Sequence, residues 1–219
     1  MDMNADYTMT PAGDAGRALE DSPRTRPDLA DQGHEEMIAE IDLGHGLRLR
    51  TLTTHDVALV VEATSTETAR ALWGPHLGPY TSRDARAALS AWDPAAESQA
   101  SYGILKHDRL LGALGLMIDG PRSAELAYWV RPESRRQGLA LRGITALTRW
   151  THDELGIDRV WLEIEPANTP SLGLAGRAGY RFEQRIPNHC RAWTSPDPGH
   201  DTWHDCMIWE HTDPRTSAI

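Results

Sequence analysis

The residues with the clearest chemical potential are Arg135-Arg136-Gln137-Gly138-Leu139-Ala140: an arginine, two residues, glycine, one residue, then alanine. Ala124–Val130 before them reads as a strand, and Gly138–Leu155 reads as a helix carrying Leu139, Ile144, Leu147 and Trp150. A strand that turns through a short loop into a helix makes an anion site. The first turn of a helix has four backbone N–H groups without intrahelical partners, and the macrodipole favours negative charge there by roughly 0.3–2 kcal/mol. A diphosphate has the charge and the acceptors to use several of them. Gly138 lets the backbone come close, Ala140 keeps the next position small, and Arg135 and Arg136 add cationic charge at the rim. The plainer reading is a glycine that merely starts a helix. A Walker loop is excluded because no Gly-Lys-Ser/Thr follows, and no G-x-G-x-x-G dinucleotide fingerprint is present.

A second chemical stretch, Leu162–Glu183, holds Asn168 just beyond a strand, Ser171 at the next helix start and Gly179-Tyr180 at that helix's end. Ser171 also suits a helix N-cap. His200 and His204 have the i, i+4 spacing of a helical metal pair, but Pro196, Pro198 and Gly199 argue against a helix, so no metal is expected. Cys190 and Cys206 form no C-x-x-C pair and read as free thiols, the alternative being that they face each other across a hairpin.

These residues need elements to hold them. Glu35–Ile41 reads as a short helical turn, and Leu47–Leu52 as a strand. Thr53 or Thr54 caps a helix through about Ala63, Thr66–Leu72 reads as a second helix, and Ser82 caps a third to about Trp92. Tyr102–Lys106 and Leu110–Ile118 flank His107-Asp108, a hairpin turn. Asp119-Gly120-Pro121 makes the next turn. Gly156 closes the central helix, Arg159–Ile164 is a strand and Pro170–Ala178 a short helix. Tyr180–Ile186 and Trp203–Trp209 are the last strands. The order describes a mixed α+β domain with one helical crossover.

Taken together, the Arg135–Ala140 loop and the Asn168–Tyr180 stretch resemble the GNAT acetyltransferases, and in detail their RimJ/RimL-like branch, which acetylates protein N-termini and small amines. The resemblance runs from about Leu47 to Trp209. It implies the GNAT acyl-CoA N-acyltransferase fold, with a mixed, mostly antiparallel sheet splayed at the cofactor slot and flanked by helices. It implies acetyl-CoA as acyl donor, its diphosphate on Arg135, Arg136, Gln137, Gly138, Leu139, Ala140 and Leu141. The pantetheine arm would lie along the backbone of Tyr128, Trp129 and Val130, with Asn168 bonding it and Tyr180 near the cofactor. Domain limits follow: an acidic flexible leader over 1–36, the acetyltransferase domain over 37–211 and a tail over 212–219.

Such a reaction needs a base for the acceptor amine, a donor for the tetrahedral oxyanion and an acid for the departing thiolate. A lysine-like amine with a pKa near ~10.4 is free base in about one molecule in a thousand at neutral pH, whereas an α-amine near ~8 asks less of the base. Glu125, on the strand entering the loop, is the first candidate base, and related acetyltransferases often carry a glutamate there. Glu163 is the second, with His189, His200 and His204 behind it. Many relatives carry a tyrosine seven residues after the asparagine as the acid, but here that position is Ala175; the resemblance to the RimL-like branch implies Ser171, three residues after Asn168, in that role instead. A backbone N–H near Val130 would meet the oxyanion. By the same resemblance, the segments 73–81 and 187–204 wall the acceptor groove, which makes Trp73, Tyr80, Glu163, His189, Trp193 and Trp203 substrate-binding candidates.

Composition bounds the partners. Of the net charge of −10, residues 1–42 carry 11 acids and 3 arginines, so the remainder is near neutral and presents no basic face for nucleic acid. No apolar run is long enough for a membrane span and the N-terminus has no apolar signal core, which points to the cytoplasm. The expected acceptor is a peptide or protein N-terminal α-amine. The alternatives are a small amine such as an antibiotic, or a silent acyl-CoA-binding module, in a monomer or homodimer.

Overall fold

The computed structural model of the protein describes residues 37–65, 79–96, 98–192 and 202–216. Eight strands form one sheet in the order β1-β2-β3-β4-β5-β6-β8-β7. The strands are β1 Glu40–Gly44, β2 Leu47–Thr51, β3 Gln99–Lys106, β4 Arg109–Gly120, β5 Ser123–Val130, β6 Arg159–Ile164, β7 Arg181–Ala192 and β8 Thr202–Thr212. Only β5 and β6 run parallel, joined through helix α3, Leu139–Asp153; every other neighbouring pair is antiparallel.

Alternation of side chains along the strands gives the sheet two apolar faces. On one, Leu126, Val160, Leu162 and Ile164 pack with Ile144 and Leu147 of α3 and with Ala175 of α4, Thr169–Arg177. On the other, Ala113, Ala127 and Trp129 pack with α1, Val57–Ala63, and α2, Ser82–Ala91. Gly143 lets α3 settle close on the sheet: a Cβ there would lie 3.0 Å from Ile104 and Leu114 side chains.

Several elements differ from expectation. The helical turn expected to end at Ile41 gives way to strand β1, because His45 and Gly46 at positive φ reverse the chain and let Ile41 and Leu43 pack on the core. Thr81, not Ser82, caps α2, with Asp84 completing a capping box. β7 and β8 run well into the segment read as a loop, reaching Ala192 and starting again at Thr202. Cys190 and Cys206 are not free but joined in a disulfide, because this hairpin sets their Cα atoms 5.5 Å apart. Asp213–Thr216 pack back on the domain, Asp213 N–H donating to Asp158 O at 2.8 Å and Arg215 Nη2 to His152 O at 3.0 Å. The leader, the helix expected over Thr66–Leu72, Trp73, Trp193 and His200 lie outside the described residues.

Candidate active site

The sheet opens at one place. β5 and β6 pair only at Ser123–Arg159, Ala124–Val160 and Glu125–Trp161. Beyond Glu125, β5 stays paired with β4 as far as Val130, and β6 with β8 as far as Ile164, so the two strands part while each is held from outside. Backbone groups of Leu126–Val130 that would bond a neighbouring strand face a gap instead, except Val130 O, which Arg135 takes.

The loop at the open end of this gap is firmly held. Arg131 is buried, and its Nη1 donates to both oxygens of Glu62 on α1 at 2.9 Å. Arg135 Nε donates to Val130 O at 3.0 Å, and Gln137 Nε2 to Glu133 O at 3.2 Å. Arg136 and Gly138 then take positive φ, 62° and 76°. The first bond of α3 is Arg142 N–H to Gly138 O, at 3.1 Å, which leaves the earlier amides pointing out of the helix. A Cβ on Gly138 would meet nothing of the protein within 4 Å. The glycine is therefore needed for its left-handed backbone, and the space over it is open to a ligand. Turned amides, open space and an arginine rim fit a diphosphate.

On the α3–α4 face of the gap stand Asn168, Ser171 and Tyr128. Asn168 is buried and caps α4, its Oδ1 accepting from Ser171 N–H at 3.2 Å. Asn168 thus takes the capping role considered for Ser171, whose hydroxyl is left for other work. The buried Tyr128 hydroxyl has no well-formed hydrogen bond. Burial pushes it up to about 12, with neighbouring Ser171 working in the opposite direction. Ala175 is fully buried, so this chain has no room for a tyrosine there.

On the opposite, α1–α2 face stands Glu125, where the strands part. It is 7% exposed, and among the described residues no cation balances it. Burial first, then the charges of Glu163 and Asp119, push its carboxyl up to about 8. Trp161 fixes Asp119 by donating from Nε1 at 2.9 Å. Glu163 is also pushed up by burial, opposed by His189, whose Nε2 lies 3.7 Å from its Oε2. The gap thus has at its open end a turned loop that fits a diphosphate, hydroxyls on one face and a carboxyl with a raised pKa on the other.

The model of the acetyltransferase (GNAT) domain matches residues 46–181, well over half of the chain. The chain belongs to the GNAT acetyltransferase family. It is an acyl-CoA-dependent N-acetyltransferase with acetyl-CoA as acyl donor. No curated protein sequence matches this acetyltransferase. Solved structures share its fold at low identity. A ribosomal-protein-S5-alanine acetyltransferase from Vibrio fischeri has TM-score 0.68 and 12% identity, covering 80% of this chain and 97% of its own. RimL, a ribosomal L7/L12 alpha-N-protein acetyltransferase in complex with coenzyme A, has TM-score 0.66 and 17% identity, covering 80% and 98%. The microcin C7 self-immunity acetyltransferase MccE, in complex with acetyl-CoA and AMP, has TM-score 0.67 and 15% identity, covering 78% and 94%.

Within the acetyltransferase, the gap gathers Glu125, Tyr128, Val130, Asn168 and Ser171, with the loop Arg135–Leu141 at its end. The Trp129 side chain packs instead on the α1–α2 side, and its backbone pairs with Ala113 of β4. Tyr180 is buried, its hydroxyl 2.6 Å from Thr148 Oγ1, and serves the core beside α3. Tyr80 is likewise buried in the α1–α2 core instead of walling an open groove. Trp203 is half exposed on β8, and His189 is half exposed beside Glu163. A cavity of about 350 Å³ lined by Thr148, His152, His211 and Arg215 lies along the later turns of α3 and holds none of the candidates. Sequence reasoning missed Asp119 as a neighbour of Glu125, the Tyr128 hydroxyl, and the sulfurs on Glu163. No motif marks them; they meet through strand register. The alternation of Glu125 with Ala127 and Trp129 was the one available sign of the face on which the carboxyl stands.

Proposed function

We propose that the protein transfers the acetyl group of acetyl-CoA to a primary amine, above all a peptide or protein N-terminal α-amine, by direct attack. The observation that carries this reading is a buried carboxyl, Glu125, at the point where β5 and β6 part, opposite a diphosphate cradle. Arg135–Leu141 would hold the diphosphate, the free edge of β5 and Asn168 the pantetheine arm. Acetyl-CoA, when bound, supplies an acetyl group activated as a thioester.

The chain's own residues then divide the proton work. Glu125 accepts the proton of the incoming ammonium. Its carboxyl, raised to about 8, is matched to an α-amine near ~8 and mismatched to a lysine ammonium near ~10.4. Asp119, and Glu163 when ionised, add negative charge that draws a cation to this face. Amides of β5 that face the gap would meet developing negative charge. Ser171 Oγ, with the Tyr128 hydroxyl beside it, keeps a proton on the side from which the thiolate leaves.

The test is a mass-shift screen with acetyl-CoA and peptides bearing free or blocked N-termini, with small amines run in parallel. Acetylation of free N-termini, lost in Glu125→Gln, is the expected result. Modification of small amines alone would make the acceptor a metabolite or antibiotic. Coenzyme A binding without transfer to any amine would leave a silent acyl-CoA-binding module.

A further inference from the structure

Where β6 meets the β7–β8 hairpin, Glu163 stands against two sulfurs that acetyl transfer does not use. Glu163 Oε1 lies 2.8 Å from Cys190 Sγ and 2.9 Å from Cys206 Sγ. The sulfurs are bonded to each other, and both cysteines are buried. The placement is built by the hairpin. Its register shifts between Ile186 and Cys190, and Asn188 within the shift takes φ 48°. Asp205 locks the bulge, accepting from Asn188 N–H at 3.0 Å and from Arg185 Nε at 2.7 Å. The bulge presents His189 to one oxygen of Glu163 and Cys190 to the other.

A thiol has a proton to donate, whereas a disulfide sulfur has none. With the bridge open, S–H groups can point at Oε1 and favour the carboxylate. With the bridge closed, the same oxygen faces two sulfurs with only lone pairs, and the charged form loses its donors. Only His189 then remains on the other oxygen. The groups facing Glu163 are Glu125 of β5, His189 and Cys190 of β7, and Cys206 of β8; Asp119 of β4 also acts on Glu125.

We propose that Cys190 and Cys206 are a reversible oxidation site whose state sets the charge on Glu163 and so tunes the base at Glu125. In the step, a small-molecule disulfide such as oxidised glutathione is attacked first by one cysteine thiolate, releasing one thiol. The second cysteine then displaces the other, forming the Cys190–Cys206 bond. Two protein thiols are oxidised and one disulfide is reduced to two thiols, so protons and electrons balance. Cys190, the less buried of the two, is the first to react. The consequence rests on the reading of Glu125 as base. Closing the bridge favours neutral Glu163, which removes a like charge from Glu125 and lets it ionise at lower pH. The acidic limb of kcat moves down by roughly one pH unit on oxidation.

The experiment uses the full chain, reduced with a phosphine or closed with oxidised glutathione and desalted. Thiol alkylation read by intact mass must count two thiols in the first form and none in the second. Titration of glutamate carboxyl carbons by NMR, with Glu125→Gln for assignment, then reads both acids in both forms without needing an acceptor. Cys206→Ser keeps a hydroxyl donor but no bridge, and without oxidant is expected to titrate like the reduced protein. The double variant Cys190→Ala, Cys206→Ala has neither donor nor bridge, and is expected to titrate like the oxidised protein. Glu163→Gln still closes the bridge, but its Glu125 titration no longer responds.

Thiols that stay open under oxidant, zinc retained stoichiometrically by the reduced cluster, or a Glu125 titration identical in the two forms overturns the proposal. So does an alanine pair that titrates like the reduced protein. If the carboxyls respond as expected while kcat does not, the reading of Glu125 as base fails and the redox site stands.

Discussion

A carboxyl at the end of the β5–β6 pairing is squeezed from two directions: it has lost most of its water, and its nearest charged neighbours are Glu163 and Asp119, both negative when ionised. The same squeeze predicts function and stability. The kcat for α-amine acetylation is expected to rise with pH along an acidic limb near about 8. Glu125→Gln is expected to lose the limb and roughly 10²–10⁴-fold in kcat. Calorimetry should find its coenzyme A affinity unchanged, since the side chain lies across the sheet from the cradle. The stability sign follows from linkage. A carboxyl whose folded pKa is raised from 4.5 to about 8 keeps a proton that the unfolded chain releases, so its contribution is full below about 4.5 and is lost as pH rises through about 8. Glu125→Gln should therefore flatten the fall in Tm across that window. Tyr128 and Ser171 make a second prediction. Tyr128→Phe and Ser171→Ala should each lower kcat with little change in KM, and the double variant should be hardly worse than the poorer single. Additive losses would mean that the two hydroxyls work separately.

The elements that carry these groups differ in how far the chain's pattern reveals them. α3 and its loop were readable because Gly138 breaks one period and starts another, and the same glycine gives a prediction. Gly138→Ala puts a side chain on a φ of 76° and costs about 1 kcal/mol in backbone strain. Because nothing of the protein crowds that Cβ, the loop can relieve the strain only by turning its amides, so weakened coenzyme A binding in calorimetry should exceed the loss in Tm. α4 was readable from Asn168 and Pro170, although its cap falls to Asn168 and not Ser171. β1 was not, because Glu40–Gly44 alternates weakly and becomes a strand only by pairing with β2. The ends of β7 and β8 were hidden by Pro187 and Asn188, which read as loop but sit in a bulge between paired residues. Tyr180 sits beside the family's motif, yet its direction is set by Thr148 on α3, a contact no local pattern carries. The loop Arg135–Leu141, made of consecutive residues, was thus legible as a turn into α3. The acid cluster was not, because Asp119, Glu125, Glu163, Cys190 and Cys206 come from five strands and meet only through register.

Across the described residues the sheet acts as a partition that parts between β5 and β6. The hydroxyls of Tyr128 and Ser171 lie on the α3–α4 face, the carboxyls and sulfurs on the α1–α2 face, and the β5–β6 gap joins them. No described helix is long and apolar enough to cross a membrane; α3 and α4 cover one face of the sheet and α1 and α2 the other. Such a partition favours a complex holding both substrates over a relay through an acetylated enzyme, because each substrate reaches the gap from its own side. The expected pattern is intersecting initial-rate lines when acetyl-CoA and peptide are varied together, with no acetylated protein in intact mass spectra when peptide is omitted. Glu125→Gln adds a sharper form of the test, since a slow variant would let any covalent acetyl group accumulate. Parallel rate lines with an acetyl adduct on Cys190 would instead mean that the thiol pair has joined the reaction path, and the division of labour between the two faces would have to be redrawn around sulfur.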